Sequence, residues 1–313
     1  MAIGAFGQGK QPPHGRAEAA REAAERVSSA FPALLVEAER IAQTVAHGIH
    51  GRRRAGTGET FWQYKQYRFG DSASMIDWRR SARSDEVFVR ENEWEAANTV
   101  WLWTNVSASM AFKSHLAEIP KKERAVLITL ALSNLLLQAG ERVGMMGLAQ
   151  PPSHHLAAMR RFAHYLTDEN TQSDELPPPV RIPRFSTLVL VGDFLQPIED
   201  INQRFGELAG RDIQGHIVQV LDPAEETLPY EGRKEFAEIS GPLKLTIGKV
   251  EGLRGQYHEK VEAHRRELSH LCRRLGWTFG VHHTDASPHQ ALLSLYGRLS
   301  GDFATGRASV AGG

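Results

Sequence analysis

From about residue 96 onward, short runs of consecutive apolar residues alternate with longer stretches whose apolar positions recur every three to four residues. The short runs predict buried strands: Val100–Asn105 (VWLWTN), Arg142–Leu148, Thr187–Val191 (TLVLV), His216–Leu221, Leu243–Ile247 and Trp277–His282. The longer stretches predict helices over Lys121–Gln138, Ser153–Thr167, Pro197–Ala209, Gly252–Leu275 and Pro288–Leu299. Lys121–Gln138 is apolar nearly all round, which marks a helix buried on every side. Strands that alternate with helices build a mostly parallel sheet with helices on both faces. In such sheets ligands bind beyond the carboxyl ends of the strands.

The first hundred residues read differently. Residues 1–16 are rich in Gly, Pro and Gln and predict a disordered tail. Residues 17–47 are rich in Ala, Glu and Arg and split at Pro32 into two short helices, the second with Leu34, Leu35, Ile41 and Val45 on one stripe. Residues 48–95 are crowded with Gly, Arg and aromatics without helical period, predicting a module of short strands and turns in which Val87–Arg90 is the clearest strand. The α/β domain then spans 96–303, and 304–313 reads as a flexible tail.

Charge narrows the function classes. The 37 basic and 37 acidic side chains cancel, which argues against a general nucleic-acid binder. Arg52-Arg53-Arg54 is too short to change that. The single cysteine, Cys272, admits no internal disulfide and sits in a helical run where a buried, inert thiol is expected. With no secretory leader and no long apolar run, the expectation is a cytoplasmic protein without membrane insertion.

Two strand ends carry polar residues. Asn105, Ser107 and Ser109 follow the first strand at two-residue spacing and can present three oxygens to one point, and Asp193 ends the third strand. A hard divalent cation such as Mg²⁺ suits such oxygens with one or two carboxylates. The alternative is that they hydrogen-bond a tight turn and cap the next helix. This stretch resembles the von Willebrand A fold, whose metal-ion-dependent adhesion site uses Asp-x-Ser-x-Ser after the first strand, a Thr from a second loop and a later Asp. Ser107, Ser109 and Asp193 match that pattern. Asn105 replaces the leading Asp, and no equivalent of the Thr is found, so the resemblance implies a degenerate site.

The module carries a more specific set: Gly56-Thr57-Gly58-Glu59-Thr60-Phe61, then Tyr67-Arg68-Phe69-Gly70-Asp71, then Ile76-Asp77-Trp78-Arg79 and Ala82-Arg83. Gly58 and Gly70 permit sharp turns, Arg68, Arg79 and Arg83 can pair with Glu59, Asp71 or Asp77, and Phe61, Tyr67 and Trp78 supply apolar anchors. Such residues serve equally as an internally paired mini-core or as a protein-docking surface. Together with Leu221-Asp222-Pro223-Ala224-Glu225 and Tyr257, the ordered set resembles the DUF-58 family, a von Willebrand A-related group, over about residues 48–300. That resemblance implies a von Willebrand A-like fold and a non-catalytic protein-binding adaptor acting with a MoxR-type AAA+ ATPase on client proteins.

No nucleophile elbow, phosphate loop or His-Glu-x-x-His helix occurs in the chain. The adjacent pairs His154-His155 and His282-His283 lack the spacing of a zinc site. The alternative to an adaptor is a metal-dependent hydrolase using Asp193 and Asp71 around the same ion.

Overall fold

The computed structural model describes residues 3–4, 35–46, 61–67, 76–83, 86–92, 98–168, 171, 174–209, 213–239 and 244–310; for 3–4, 61–65, 89–92, 238 and 301–310 the backbone alone is described. The chain divides into two compact units, one of Met1–Gly51 with Asn98–Gly313 and one of Arg52–Ala97.

The larger unit is organised by a five-stranded sheet made of β4 (Thr99–Thr104), β5 (Arg142–Met145), β6 (Thr187–Gly192), β7 (Gln214–Leu221) and β10 (Thr278–His283). Their spatial order is β10-β7-β6-β4-β5 and every pairing is parallel. The pleat explains how one apolar run serves two cores, because successive side chains point to opposite faces. Leu188 and Leu190 of β6 join Trp103 and Ile217 on one face, packed with α5 (Ile198–Ala209) and α7 (Arg254–Arg274). Val189 and Val191 join Val100, Leu102, Val218 and Val220 on the other, with α3 (Lys121–Gln138), α4 (Ala158–Thr167) and α8 (Pro288–Val310). The expected α/β architecture, a parallel sheet covered on both faces, is therefore present.

Helix α3 is buried from Arg124 to Leu137, as its all-round apolar sequence requires. The helix α1 (35–46) buries Ala38, Ile41, Ala42 and Val45 in the same core. Several elements differ from the sequence reading. β5 stops at Met145, shortly before Gly147, whose φ of +87° turns the chain, and Ser153 pairs with Val143 in an antiparallel bridge, so α4 begins only at Ala158. A short strand missed in the irregular stretch, β8 (Lys234–Glu238), pairs antiparallel with β9 (Lys244–Ile247) and with β1 (Ile3–Gly4). The last helix meets no proline after its first residue and continues to Val310, through most of the stretch read as a tail.

The smaller unit contains the antiparallel pair β2 (Phe61–Gln66) and β3 (Phe88–Asn92) with a single helical turn, α2 (Trp78–Ser81). Among the described residues no helix is long and apolar enough to cross a membrane.

Candidate functional site at the strand ends

Strand order reverses between β4 and β6, since the chain goes from β4 to one neighbour and later returns to the other side. A crevice at the carboxyl ends of these two strands is the usual ligand position of an open parallel sheet. Asn105 and Asp193 stand there, one residue beyond each strand. The Asn105 amide donates to the Val191 carbonyl at 2.8 Å, and its side-chain Nδ2 donates to Asp193 Oδ1 at 3.2 Å. Gly192 makes this approach possible, because a Cβ there would lie 3.1 Å from the Asn105 Cβ.

Beyond Asn105 the chain turns on its own side chains. Asn105 Oδ1 accepts from the Ser107 amide at 2.9 Å, and the Ser107 and Ser109 hydroxyls share a hydrogen bond of 3.1 Å. Asn105 thus meets Asp193 across the two strand ends, while Ser107 is tied to Asn105 and Ser109 to Ser107.

The feature that sequence reasoning missed is Lys121. It opens α3, its side chain is wholly buried, and its Nζ donates to Asp193 Oδ2 at 3.0 Å and to Glu225 Oε1 at 2.7 Å. A cation at a helix N-terminus opposes the helix dipole, so this placement depends on the two carboxylates. Burial pulls the lysine pKa down, but Asp193 and then Glu225 outweigh it and hold the ammonium above its ordinary value. A lysine that serves as a general base needs the opposite shift. Burial also pushes the Glu225 carboxyl up, against the attraction of Lys121.

Glu225 is placed by a local motif. Asp222 caps α6 (Pro223–Thr227) by accepting from the Ala224 amide at 2.9 Å, while Glu225 Oε2 accepts from the Asp222 amide at 3.0 Å. The second oxygen of Asp222 accepts from the Ser114 amide at 2.8 Å, which ties the loop after Ser109 to the end of β7. The Tyr257 hydroxyl, from α7, donates to the Glu225 carbonyl. Gln219 Nε2 donates to the Asp193 carbonyl at 2.8 Å, and His264 Nε2 donates to the Phe194 carbonyl at 2.7 Å. Phe194 itself is fully buried at a φ of +47°, a strain of about 1–3 kcal/mol for a side-chain-bearing residue. Its ring packs on Trp103 and Phe205, so the core holds the backbone that aims Asp193.

These donors do not suit a divalent ion. Both Asp193 oxygens already accept, one from an amide and one from an ammonium. A doubly charged ion ~4 Å from a fixed ammonium would meet repulsion of about 8 kcal/mol at an effective dielectric of ~20. Among the described residues no group of three or more His, Cys, Asp or Glu side chains could hold a metal ion. His282 and His283 diverge, the first buried and the second bonded to Glu226.

In the smaller unit Asp77 is a helix cap, its Oδ1 accepting from the Arg80 amide at 3.0 Å, and the Arg80 guanidinium lies over the Phe88 ring. Trp78 is 68% exposed, and Tyr67, Arg79 and Arg83 are exposed as well. Gly58, Glu59, Arg68, Gly70, Asp71 and the Phe61 side chain lie outside the described residues.

Comparison with known proteins shows the family through one match. The family model described as "Protein of unknown function DUF58" matches residues 63–267. The uncharacterized proteins Rv1480 of Mycobacterium tuberculosis and Mb1516 of Mycobacterium bovis are each 24% identical over 268 residues, covering 80% of this chain and 83% of theirs. A crystal structure titled as conserved hypothetical protein BatB from Bacteroides thetaiotaomicron aligns at 13% identity with a TM-score of 0.40, over 65% of this chain and 99% of that one. With the match spanning most of the chain, from the β2–β3 unit through the strand-end network to α7, this protein belongs to the DUF58 family.

Proposed function

We propose that this chain is a non-catalytic adaptor of the von Willebrand A type that docks a protein partner on its strand-end face, without a bridging ion. The partner class we propose is a MoxR-type AAA+ ATPase, which remodels or matures a client with the adaptor's help. The observation that carries this reading is the buried Lys121–Asp193–Glu225 network. It consumes the site's ionisable groups internally, and so builds a rigid surface rather than a reactive centre.

Several loops are joined into that surface. Ser114 binds Asp222, His115 meets Tyr230 edge-on, and Arg254 donates to the Leu228 and Tyr230 carbonyls. At this end Leu116 is 42% and Leu253 39% exposed. In the smaller unit Trp78 beside Arg79 has the composition of an interface hot spot.

The test is retention of an ATPase from native lysate on the immobilised full chain, with and without ATP and Mg²⁺. The expected result is enrichment of a MoxR-type AAA+ ATPase by the wild-type protein. Retention should fall at least about tenfold with Leu116→Glu/Leu253→Glu or Trp78→Ala, a loss typical of interface anchors. No AAA+ ATPase in any condition, or retention unchanged by both variants, would overturn the proposal.

A further inference from the structure

A buried ammonium held between two carboxylates is an arrangement of charge as well as a structural tie. The Lys121 Nζ lies 3.0 Å from Asp193 Oδ2 and 2.7 Å from Glu225 Oε1, and the three side chains are between 0 and 5% exposed. The two oxygens therefore face one common point, the ammonium, at distances longer than the ~2.1 Å of a Mg²⁺–oxygen bond, as the larger –NH₃⁺ group requires. Asn105 Nδ2 occupies the other oxygen of Asp193, and Asn105 Oδ1 accepts in turn from the Ser107 amide. The lysine reaches this point from the first turn of α3, with its stem buried and its ammonium 6.0 Å from the Phe112 ring centroid.

We infer that Lys121 is the resident cation of the strand-end site: it replaces a divalent ion, makes the face indifferent to Mg²⁺ and Mn²⁺, and conceals a divalent-cation site formed by Asp193 and Glu225. The inference concerns the charge at the site and stands whether or not the docking proposal is correct. Shortening the lysine to alanine removes the positive charge and the four-carbon stem together. Two carboxylates are left facing a polar space, which a hard cation and its waters satisfy. Replacing it with methionine removes the charge but keeps the bulk, so no room is made.

The experiment measures Tm and isothermal titration heats for the full chain with MgCl₂, with MnCl₂ and with EDTA, for wild type, Lys121→Ala and Lys121→Met. Wild type is expected to show no saturable heat and no Tm shift. Lys121→Ala is expected to melt lower in EDTA and to recover at least about 3 °C with Mn²⁺ in excess of its dissociation constant. Lys121→Met should melt lower with no recovery. If Lys121→Ala is unfolded in EDTA, the readout becomes recovery of native circular dichroism on adding Mn²⁺, and failure to recover overturns the inference. It is equally overturned by a folded Lys121→Ala that ignores Mn²⁺, by a Lys121→Met that responds as well as the alanine variant, or by a wild-type Mn²⁺ site abolished by Ser109→Ala. The ATPase retention assay reports separately on docking, so failure of one proposal does not decide the other.

Discussion

Lys121 and Asp193 are 72 positions apart in the chain, yet their side chains meet at 3.0 Å with neither accessible to solvent. Each is tolerable in the interior only because of the other and of Glu225. Removing one partner leaves the remaining charge desolvated and uncompensated, which typically costs about 3–5 kcal/mol. Asp193→Ala should destabilise the fold by that amount in urea titration. Lys121→Met combined with Asp193→Ala should cost clearly less than the two single changes added together, since contacting groups are coupled. Additive losses would mean that the pair contributes through packing alone.

Acid should weaken the protein through two imidazoles. His216 and His282 are 1% and 5% exposed, and burial, reinforced by Arg298 for the first and Arg124 for the second, lowers both to about 4. The unfolded chain binds protons at its ordinary histidine pKa of about 6.5, so between that value and about 4 it takes up more protons than the folded chain. Stability is therefore full above that window and falls as pH drops through it, by up to about 3 kcal/mol per imidazole. The raised Glu225 carboxyl acts in the opposite sense, because the folded state takes up its proton more readily. Urea midpoints near neutrality and near pH ~4.5 should show the net loss, and His282→Gln should reduce it. An unchanged slope in that variant would show that His282 titrates normally.

Gly215, the second residue of β7, is fixed by a neighbour rather than by its own backbone. A Cβ there would lie 2.1 Å from Cδ2 of Trp277, whose indole N–H donates to the Ile213 carbonyl and whose ring packs on Phe205. The ring has no room to retreat. Gly215→Ala should cost at least about 1–3 kcal/mol, the usual penalty of overpacking, visible as a lower Tm and an altered near-ultraviolet signal from Trp277. A melt identical to wild type would place the indole elsewhere.

The parts of this molecule that local pattern encodes were readable from the chain. Thr187–Val191 could only be a strand buried on both faces, and Asn105 and Asp193 followed from the rule that ligand positions lie beyond strand ends. Asp222-Pro-Ala-Glu225 entered only as part of the family resemblance, and the structure shows it to be a capping box. Lys121 was not readable. A lysine at the start of a helix ordinarily sits in water, and its burial depends on carboxylates contributed 72 and 104 positions later. No periodicity links such residues. For Trp78 the sequence suited an internal mini-core and a docking surface alike, and the side chain is 68% exposed on its short helix.

Cys272 offers a way to read the network's stability without denaturant. It is wholly buried, and burial pushes its thiol up to about 12, so the native protein holds almost no accessible thiolate. A thiol reagent should leave the folded chain unlabelled and react fully once it is unfolded. Cys272 packs with Leu268, Leu271 and Trp277 in the α5–α7 core, so labelling requires that core to open. Where opening and closing are fast compared with reaction, the labelling rate follows the open population. A loss of about 3–5 kcal/mol in Asp193→Ala then raises that rate by roughly two to three and a half orders of magnitude, at ~1.4 kcal/mol per tenfold. Labelling of Asp193→Ala at the wild-type rate would separate this core from the strand-end network and would show that α7 opens independently of Lys121.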